Sequence, residues 1–459
     1  MFTNRTALLR DNPAQLNYGV AVLDVDNDGA FEMFVAGYGY PNQVLKWNGA
    51  AFVNIADVTL ADANRQAIGV AGGDFDGDGR EEIYVLNTDT FAGRKRFGDR
   101  LFGFFGNQNG QWLDLFDMPR NNEAMNPTAG RSVACLDRDG DGQYGFMVAN
   151  YGGPMRLYEL DVDGLLVDVA KEAGLALTTG GRSLLCGPIV SERMDVFAAN
   201  EGGPNFLFRN LGSGKFAEVA SETGLADAYE HGRGVALLDG GNNDRFEIVC
   251  GNWEGQHRLF QPHANGKFEN IAPPTLAVPS RVRTVIAADF DNDGYQEIFF
   301  NNIGEPNRLF GWRNQQWQRL DIGEAGEARG LGTGAVVGDF DNDGRLELLI
   351  SHGEVGLQPL TLYHSPANGN GWLRVSPLTK AGAPARGALV TLSTNERTQR
   401  RVIDAGSGYL CQMEPVAHFG LGVGDVKIER VEVRWPDGAT VRLENPTTRQ
   451  TLRVPYPKK

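Results

Sequence analysis

Along most of the chain, short apolar runs come in pairs separated by one strongly polar segment. The clearest pair brackets Asp339-Phe340-Asp341-Asn342-Asp343-Gly344-Arg345-Leu346-Glu347, with Ala335, Val336 and Val337 before it and Leu348, Leu349 and Ile350 after. Apolar runs this short, bounded by glycine and polar turns, read as buried strands rather than helices. Two such strands joined by a tight loop make a β-hairpin, and the hairpin recurs. Each second strand ends in a marked turn, at Gly37, Asn87, Asn150, Asn200, Asn252, Asn302 and His352, with steps of 50, 63, 50, 52, 50 and 50 residues. Two further strands follow each turn, as at residues 205–210 and 214–220. A period near 50 residues is the size of one four-stranded propeller blade. Seven units therefore predict a seven-bladed β-propeller over residues 1–365. Residues 1–6 share the polar–apolar pattern of residues 215–220 and are expected to supply the outer strand of the last blade, which would close the ring and cover a sheet edge.

The period stops near residue 365, and residues 366–459 are expected to form a smaller β domain. Its strands are predicted at 372–376, 387–394, 399–403, 427–435 and 440–443, with Pro436-Asp437-Gly438 as a turn. The fold class is thus all-β, with a small C-terminal β domain after the propeller. The 60 glycines, against 21 prolines, fit many tight turns. A formal charge of −15 argues against a nucleic-acid or membrane-surface binder, because phosphates would be repelled. No stretch approaches the roughly 18 apolar residues of a membrane span, so no membrane insertion is expected. The first residues lack the apolar core of a leader, which predicts a cytoplasmic protein. Four scattered cysteines do not make a disulfide scaffold, and Cys135, Cys186 and Cys250 fall in apolar runs as buried thiols.

The polar segments carry the first candidate chemistry. Three aspartates at alternate positions turn their carboxylates to one side, and glycine at position 6 allows the turn that returns a glutamate at position 9. Four converging carboxylates need a hard cation, and calcium takes such oxygen sets. The complete sets are Asp24/Asp26/Asp28/Glu32, Asp74/Asp76/Asp78/Glu82, Asp289/Asp291/Asp293/Glu297 and Asp339/Asp341/Asp343/Glu347. A fifth set, Asp137/Asp139/Asp141, has Gly145 in place of the glutamate. A sixth is degraded to Asp239, Gly241, Asn243 and Glu247, and the unit between these two keeps no metal pattern. Four to five calcium ions are expected, in structural roles.

These loops resemble the FG-GAP (VCBS) repeats of integrin α-subunit propellers, although that loop usually ends in Asp where four loops here end in Glu. Residues 372–375, Gly406-Ser407-Gly408-Tyr409-Leu410, residues 418–422 and residues 431–438 look like the ASPIC/UnbV domain. Cys411 stands where that domain commonly has Ser. Propeller plus this domain is similar to the cartilage acidic protein family. The resemblance implies the architecture above, calcium in the loops, and an extracellular location as the alternative to the cytoplasm.

A second pattern lies upstream of the loops. Arg131, Arg182, Arg233 and Arg283 stand at the start of the innermost strands of four consecutive blades, where blades 1, 2 and 7 have Tyr18, Ile68 and Thr333. That is the channel end opposite the calcium loops, on the face of the Asn turns. Guanidinium groups stay charged and present a planar fork to carboxylates and phosphates. The arc is therefore a candidate anion site, with His231, Arg281, Asn150, Asn200, Asn252 and Asn302 near it. The insertion holding Arg94, Lys95 and Arg96 leaves the same face and could cover it as a lid. No G-x-S-x-G, H-E-x-x-H, P-loop or Rossmann fingerprint is present. The leading reading is a calcium-stabilised binding module for a protein or a small anionic ligand. The alternatives are an enzyme working at the polar mouth and a structural or adhesive matrix protein.

Overall fold

The structure, a computed structural model, describes residues 1–105, 110–240, 245–365 and 367–458. Its first part is a ring of seven antiparallel blades. The innermost strands are Asn17–Leu23, Ala67–Gly73, Gly130–Leu136, Thr178–Gly187, Gly232–Leu238, Val282–Ala288 and Gly332–Gly338. Each packs on the next, and the last packs on the first. Both faces of a blade are covered by its neighbours, so these strands are apolar on both sides instead of alternating. Burying one such Val, Leu, Ile or Phe side chain is worth about 1.5–3 kcal/mol.

The ring is closed as the sequence predicts. Thr3 and Asn4 pair with His364 and Tyr363, making the outer strand of the seventh blade. Phe2 is buried beside them, edge-on to Phe290 with ring centroids 4.9 Å apart. Blades 3 and 4 are joined by a feature the periodicity does not show. The second strand of blade 3, Gly145–Pro154, runs past its turn and pairs with the start of Thr178–Gly187, linking both blades into one sheet.

Every innermost strand also carries a register shift near its first residues, between Asn17 and Val20, Ala67 and Gly69, Gly130 and Ser132, Gly181 and Ser183, Gly232 and Val235, Val282 and Thr284, and Gly332 and Gly334. A bulge adds an unpaired residue and re-aims its side chain. The bulged residues include Tyr18, Ile68, Arg131, Arg182, Arg233, Arg283 and Thr333. The same irregularity in seven blades thus presents one chosen side chain per blade at the channel mouth.

The C-terminal part has two sheets. Gly371–Pro377 pairs with Ala417–Gly422 antiparallel and with Thr451–Val454 in parallel. Leu389–Thr394 lies between Thr398–Val402 and Ile428–Arg434, with Thr440–Glu444 outermost. Ala417–Gly422 and Thr451–Val454 are not among the strands expected from the sequence, because glycines interrupt the first and charged residues the second. Leu373, Val390, Phe419, Val431 and Trp435 belong to this domain's own core.

The domain does more than sit beside the ring. A segment between its strands enters the propeller channel and bonds to the inner strands. Cys135 N–H donates to the Ala405 carbonyl, Val235 and Gly408 exchange both backbone bonds, and Val22 N–H donates to the Gln412 carbonyl. Ser183 Oγ donates to the Gly408 carbonyl, Gly72 N–H to Gln412 Oε1, and Glu414 N–H to the Val337 carbonyl. The channel is therefore filled by protein, and the tip of the filling segment is Tyr409.

Candidate functional site: two charged ends of one channel

At one end lie the acidic loops. The Asp at loop position 1 accepts from the Gly N–H at position 6 in five blades: Asp24 from Gly29 at 2.9 Å, Asp74 from Gly79 at 3.2 Å, Asp137 from Gly142 at 3.1 Å, Asp289 from Gly294 at 2.9 Å and Asp339 from Gly344 at 3.0 Å. Those glycines have φ between 83° and 95°, the left-handed region glycine enters without a Cβ clash. Position 4 is left-handed as well, at Asn27, Gly77, Gly140, Asn292 and Asn342, a requirement visible only as Asn or Gly at that place. The Glu at position 9 accepts from the N–H at position 2, as Glu82 does from Phe75 and Glu347 from Phe340. One carboxylate oxygen closes the loop; the other faces Lys46, Arg313 or His364 in blades 1, 6 and 7 and has no hydrogen-bond partner among the described residues in blade 2.

Five clusters result, each with donor atoms within 4.8 Å of one another: Asp24/Asp26/Glu32, Asp74/Asp76/Asp78, Asp137/Asp139/Asp141, Asp289/Asp291/Glu297 and Asp341/Asp343/Glu347 with His364. His364 escapes a reading of the loop alone, since it stands on the neighbouring strand directly opposite Glu347. Asp28 and Asp293 complete their loops beside Lys46 and Arg313, which reach into the clusters of blades 1 and 6. Blade 2 has no such cation among the described residues. Asp74 Oδ1 and Glu82 Oε1 are buried there without a hydrogen-bond partner, as is Asp289 Oδ1 in blade 6. Burial, reinforced by the neighbouring carboxylates, pushes Asp74 and Asp137 up to about 7. Burial likewise holds Glu82 well above the carboxylate range and Glu347 up at about 8. Orphaned, crowded oxygens of this kind fit a bound divalent cation.

Blade 4 shows the alternative. Asp195 accepts from the N–H groups of Ile189, Val190, Ser191 and Asn210 and from Ser191 Oγ, so its loop closes without a cation. In blade 5, Gly241 and Asn243 lie outside the described residues; Asp239 accepts from Arg400 N–H, and Glu247 from Gly240 N–H. The C-terminal domain docks on this end through the loops themselves. Gly420 N–H donates to Asp289, Arg374 pairs with Asp339 at 3.3 Å, and His418 bonds Asn292 at 2.6 Å. Burial pushes the Cys411 thiol up to about 11, and the residue is locked within the channel segment.

At the other end the four predicted arginines converge on Tyr409. They are 8 %, 1 %, 5 % and 7 % exposed for Arg131, Arg182, Arg233 and Arg283. Arg182 pairs with Glu201, Arg233 reaches the same carboxylate at 3.3 Å, and Arg283 pairs with Glu354. Arg131 donates to the carbonyls of Thr90 and Phe91. Four guanidinium groups therefore share two carboxylates. The Nε atoms of Arg131, Arg233 and Arg283 are buried without a hydrogen-bond partner among the described residues. Aromatic faces hold the forks in place: Phe91 and Tyr151 beside Arg182, and Trp253 between Arg233 and Arg283 at 4.9 and 4.6 Å.

Several expected members stand apart from this cluster. Asn150, Asn200, Asn252 and Asn302 spend their side-chain amides on the carbonyls of Pro154, Pro204, Gln256 and Pro306, at 2.6–2.7 Å, and so hold their own turns. His231 lies on the exposed rim. Arg281 does too, paired with Glu254. The insertion does cover part of the mouth, but with Phe91 and not with its basic residues. Arg94 is exposed, Arg96 pairs with Asp89, and Lys95 is buried against Asp99.

The family models that match this chain agree with this architecture. Residues 378–459 match the family model described as ASPIC and UnbV, and residues 24–85, 242–300 and 289–350 match the FG-GAP-like repeat. Among solved structures, BBS1N in complex with ARL6DN, soaked with mercury, has a TM-score of 0.49 at 9 % identity, covering 78 % of this chain and 94 % of that one. Among curated proteins, the chain is 49 % identical over 487 residues to cartilage acidic protein 1 of Xenopus tropicalis, covering 97 % of this chain and 74 % of that protein. It is 47 % identical to the Homo sapiens protein of the same name, covering 97 % and 73 %. With a near full-length match of this order added to both domain signatures, the chain belongs to the cartilage acidic protein family.

Proposed function

We propose that the protein is a binding module in which calcium, held by the loops of blades 1, 2, 3, 6 and 7, fixes the propeller and its C-terminal domain, while the opposite mouth recognises an oxyanion. The observation that carries the anion reading is the charge imbalance there: four buried arginines, two carboxylates, and three unpartnered Nε donors. Buried charge without a partner is costly, so such a cluster favours a small anion or an anionic group on a larger partner. The calcium reading rests on the orphaned carboxylate oxygens of blades 2 and 6. The relatives are named for cartilage, which supports an extracellular location over the cytoplasmic one, and no helix among the described residues is long and apolar enough to cross a membrane. Calorimetric titration of the calcium-loaded protein with sulfate, at constant ionic strength, tests the mouth. Binding that is lost in Arg233→Ala and kept in Arg281→Ala is expected; equal binding by parent and both variants would place the anion elsewhere.

A further inference from the structure

The channel segment delivers Tyr409 into the arginine cluster from a different domain, and this arrangement carries a consequence for binding. The guanidinium groups around it are close: the Cζ atoms of Arg233 and Arg283 lie 5.9 and 5.8 Å from the Tyr409 ring centroid. Arg182 and Arg131 act on the phenol, with Arg233 and Arg283, as neighbouring positive charges. Tyr409 is itself 3 % exposed, and its backbone is pinned, with Gly408 bonded to Val235 and the Tyr409 carbonyl accepting from Thr284 at 3.5 Å. The side chain is therefore buried on a held backbone, among the guanidinium groups. The other titratable groups facing it are Tyr18, Glu354 and, behind Arg182 and Arg233, Glu201.

We infer that Tyr409 is an internal, protonation-controlled competitor of the oxyanion: as phenolate it supplies part of the missing negative charge, and an incoming oxyanion drives it to take up a proton. This rests on the mouth being the anion site proposed above. For a dianion the charge count favours it. Two arginine charges are left over after Glu201 and Glu354, so a phenolate and a dianion together would overfill the cluster. Burial alone would raise the phenol, but Arg182, Arg233, Arg283 and Arg131 outweigh it and bring Tyr409 down to about 7. The exchange then falls in the neutral range. Its sign is fixed: below the transition the phenol is neutral and the oxyanion binds well. Above the transition the phenolate competes and affinity falls, by up to about tenfold per pH unit. A bound oxyanion must in turn raise the pH at which Tyr409 ionises.

Sulfate is the suitable probe, because its own charge does not change across this range, and acetate serves as the carboxylate arm. The near-ultraviolet tyrosinate absorbance of the calcium-loaded full chain is titrated with pH, with and without saturating sulfate, for the parent and for Tyr409→Phe. The expected result is a one-tyrosine transition near neutral pH in the parent only, moved upward by sulfate, with sulfate affinity in Tyr409→Phe independent of pH over the same range. A shift with sulfate but not acetate would assign the site to tetrahedral dianions; a shift with both would assign it to oxyanions in general. Sulfate binding that depends on Arg233 but leaves the tyrosinate transition unmoved would overturn this inference and spare the anion site. No sulfate or acetate binding at any pH would overturn both. Because Tyr409→Phe keeps the ring, a melt equal to that of the parent at low pH confirms that the variant is folded.

Discussion

The two ends of the channel are opposites built by the same repeat. At the loop end, each blade places carboxylates on a hairpin tip; at the mouth, each blade places one side chain on a bulge. Both positions are structurally repeated, but their occupants are not equally repeated. The loop carboxylates recur in five blades, as expected where every blade needs its hairpin closed. The arginines occupy four consecutive blades and give way to Tyr18, Ile68 and Thr333 in the others. Blade 4 sharpens the contrast, since its loop is closed by the hydrogen-bonded Asp195 in place of an acidic cluster, yet it carries Arg182 at the mouth. Chemistry at the loop end thus follows the needs of a single blade, whereas chemistry at the mouth belongs to an arc that no single blade requires.

The largest effect should come from removing the cation. Each calcium site at a hundredfold excess over its dissociation constant adds about 2.7 kcal/mol. Several such sites rival a whole folding free energy of about 5–15 kcal/mol. Chelation at neutral pH should therefore lower the melting temperature markedly, and a melt unchanged by rigorous EDTA treatment would erase the distinction between the loops and blade 4. The same deficit has a pH signature. With calcium removed, Asp74 and Asp137 are raised in the folded protein from 3.8 to about 7. A group raised on folding contributes stability that is fully present below its unfolded value and is lost as pH rises through the folded one. The gap between calcium-loaded and calcium-free melting temperatures should accordingly widen from about pH 4 to about pH 7, and a constant gap would contradict the crowding of these carboxylates.

Blade 4 provides the internal control. Asp195→Ala strands several buried N–H groups and should cost about 3 kcal/mol, the upper range for unsatisfied buried groups, equally with and without calcium. Asp74→Asn should destabilise only the calcium-loaded protein. Denaturant melts of both variants in each condition would separate the two kinds of loop. At the mouth, Arg233→Ala should weaken sulfate binding by roughly 1.5–3 kcal/mol, as for a charged hydrogen bond, while leaving calcium affinity unchanged. A parallel loss of calcium affinity would mean that the ends are not independent.

Much of this was legible in the residues, for a physical reason. Loop ligands sit at fixed spacings within nine residues, and the blade period follows from seven such hairpins. Even the latch at Thr3 and Asn4 could be read, because an outer strand repeats a local pattern. What stayed hidden depends on distant parts of the chain. The bulges shift register by one residue in strands that are apolar on both faces, so alternation cannot reveal them. Glu201 and Glu354, which half-neutralise the arginines, lie in turns without a pattern of their own. The Asn turns look like ligand donors in sequence, yet their amides are used within the turn, a choice decided by backbone geometry. The channel segment is the largest omission. Gly408 meets Val235 across more than a third of the chain and Gln412 meets Val22 across most of it, and no local signal marks residues 404–414 as the filling of a propeller.

The central claim is that each end holds an excess of buried charge of one sign and takes a counter-ion of the other. Anomalous diffraction from crystals grown with calcium and selenate tests both ends at once. Calcium peaks are predicted at the loops of blades 1, 2, 3, 6 and 7 and none at Asp195, with a selenium peak among Arg131, Arg182, Arg233 and Arg283. Loops without calcium, or an arginine arc without selenate, would contradict the account at that end.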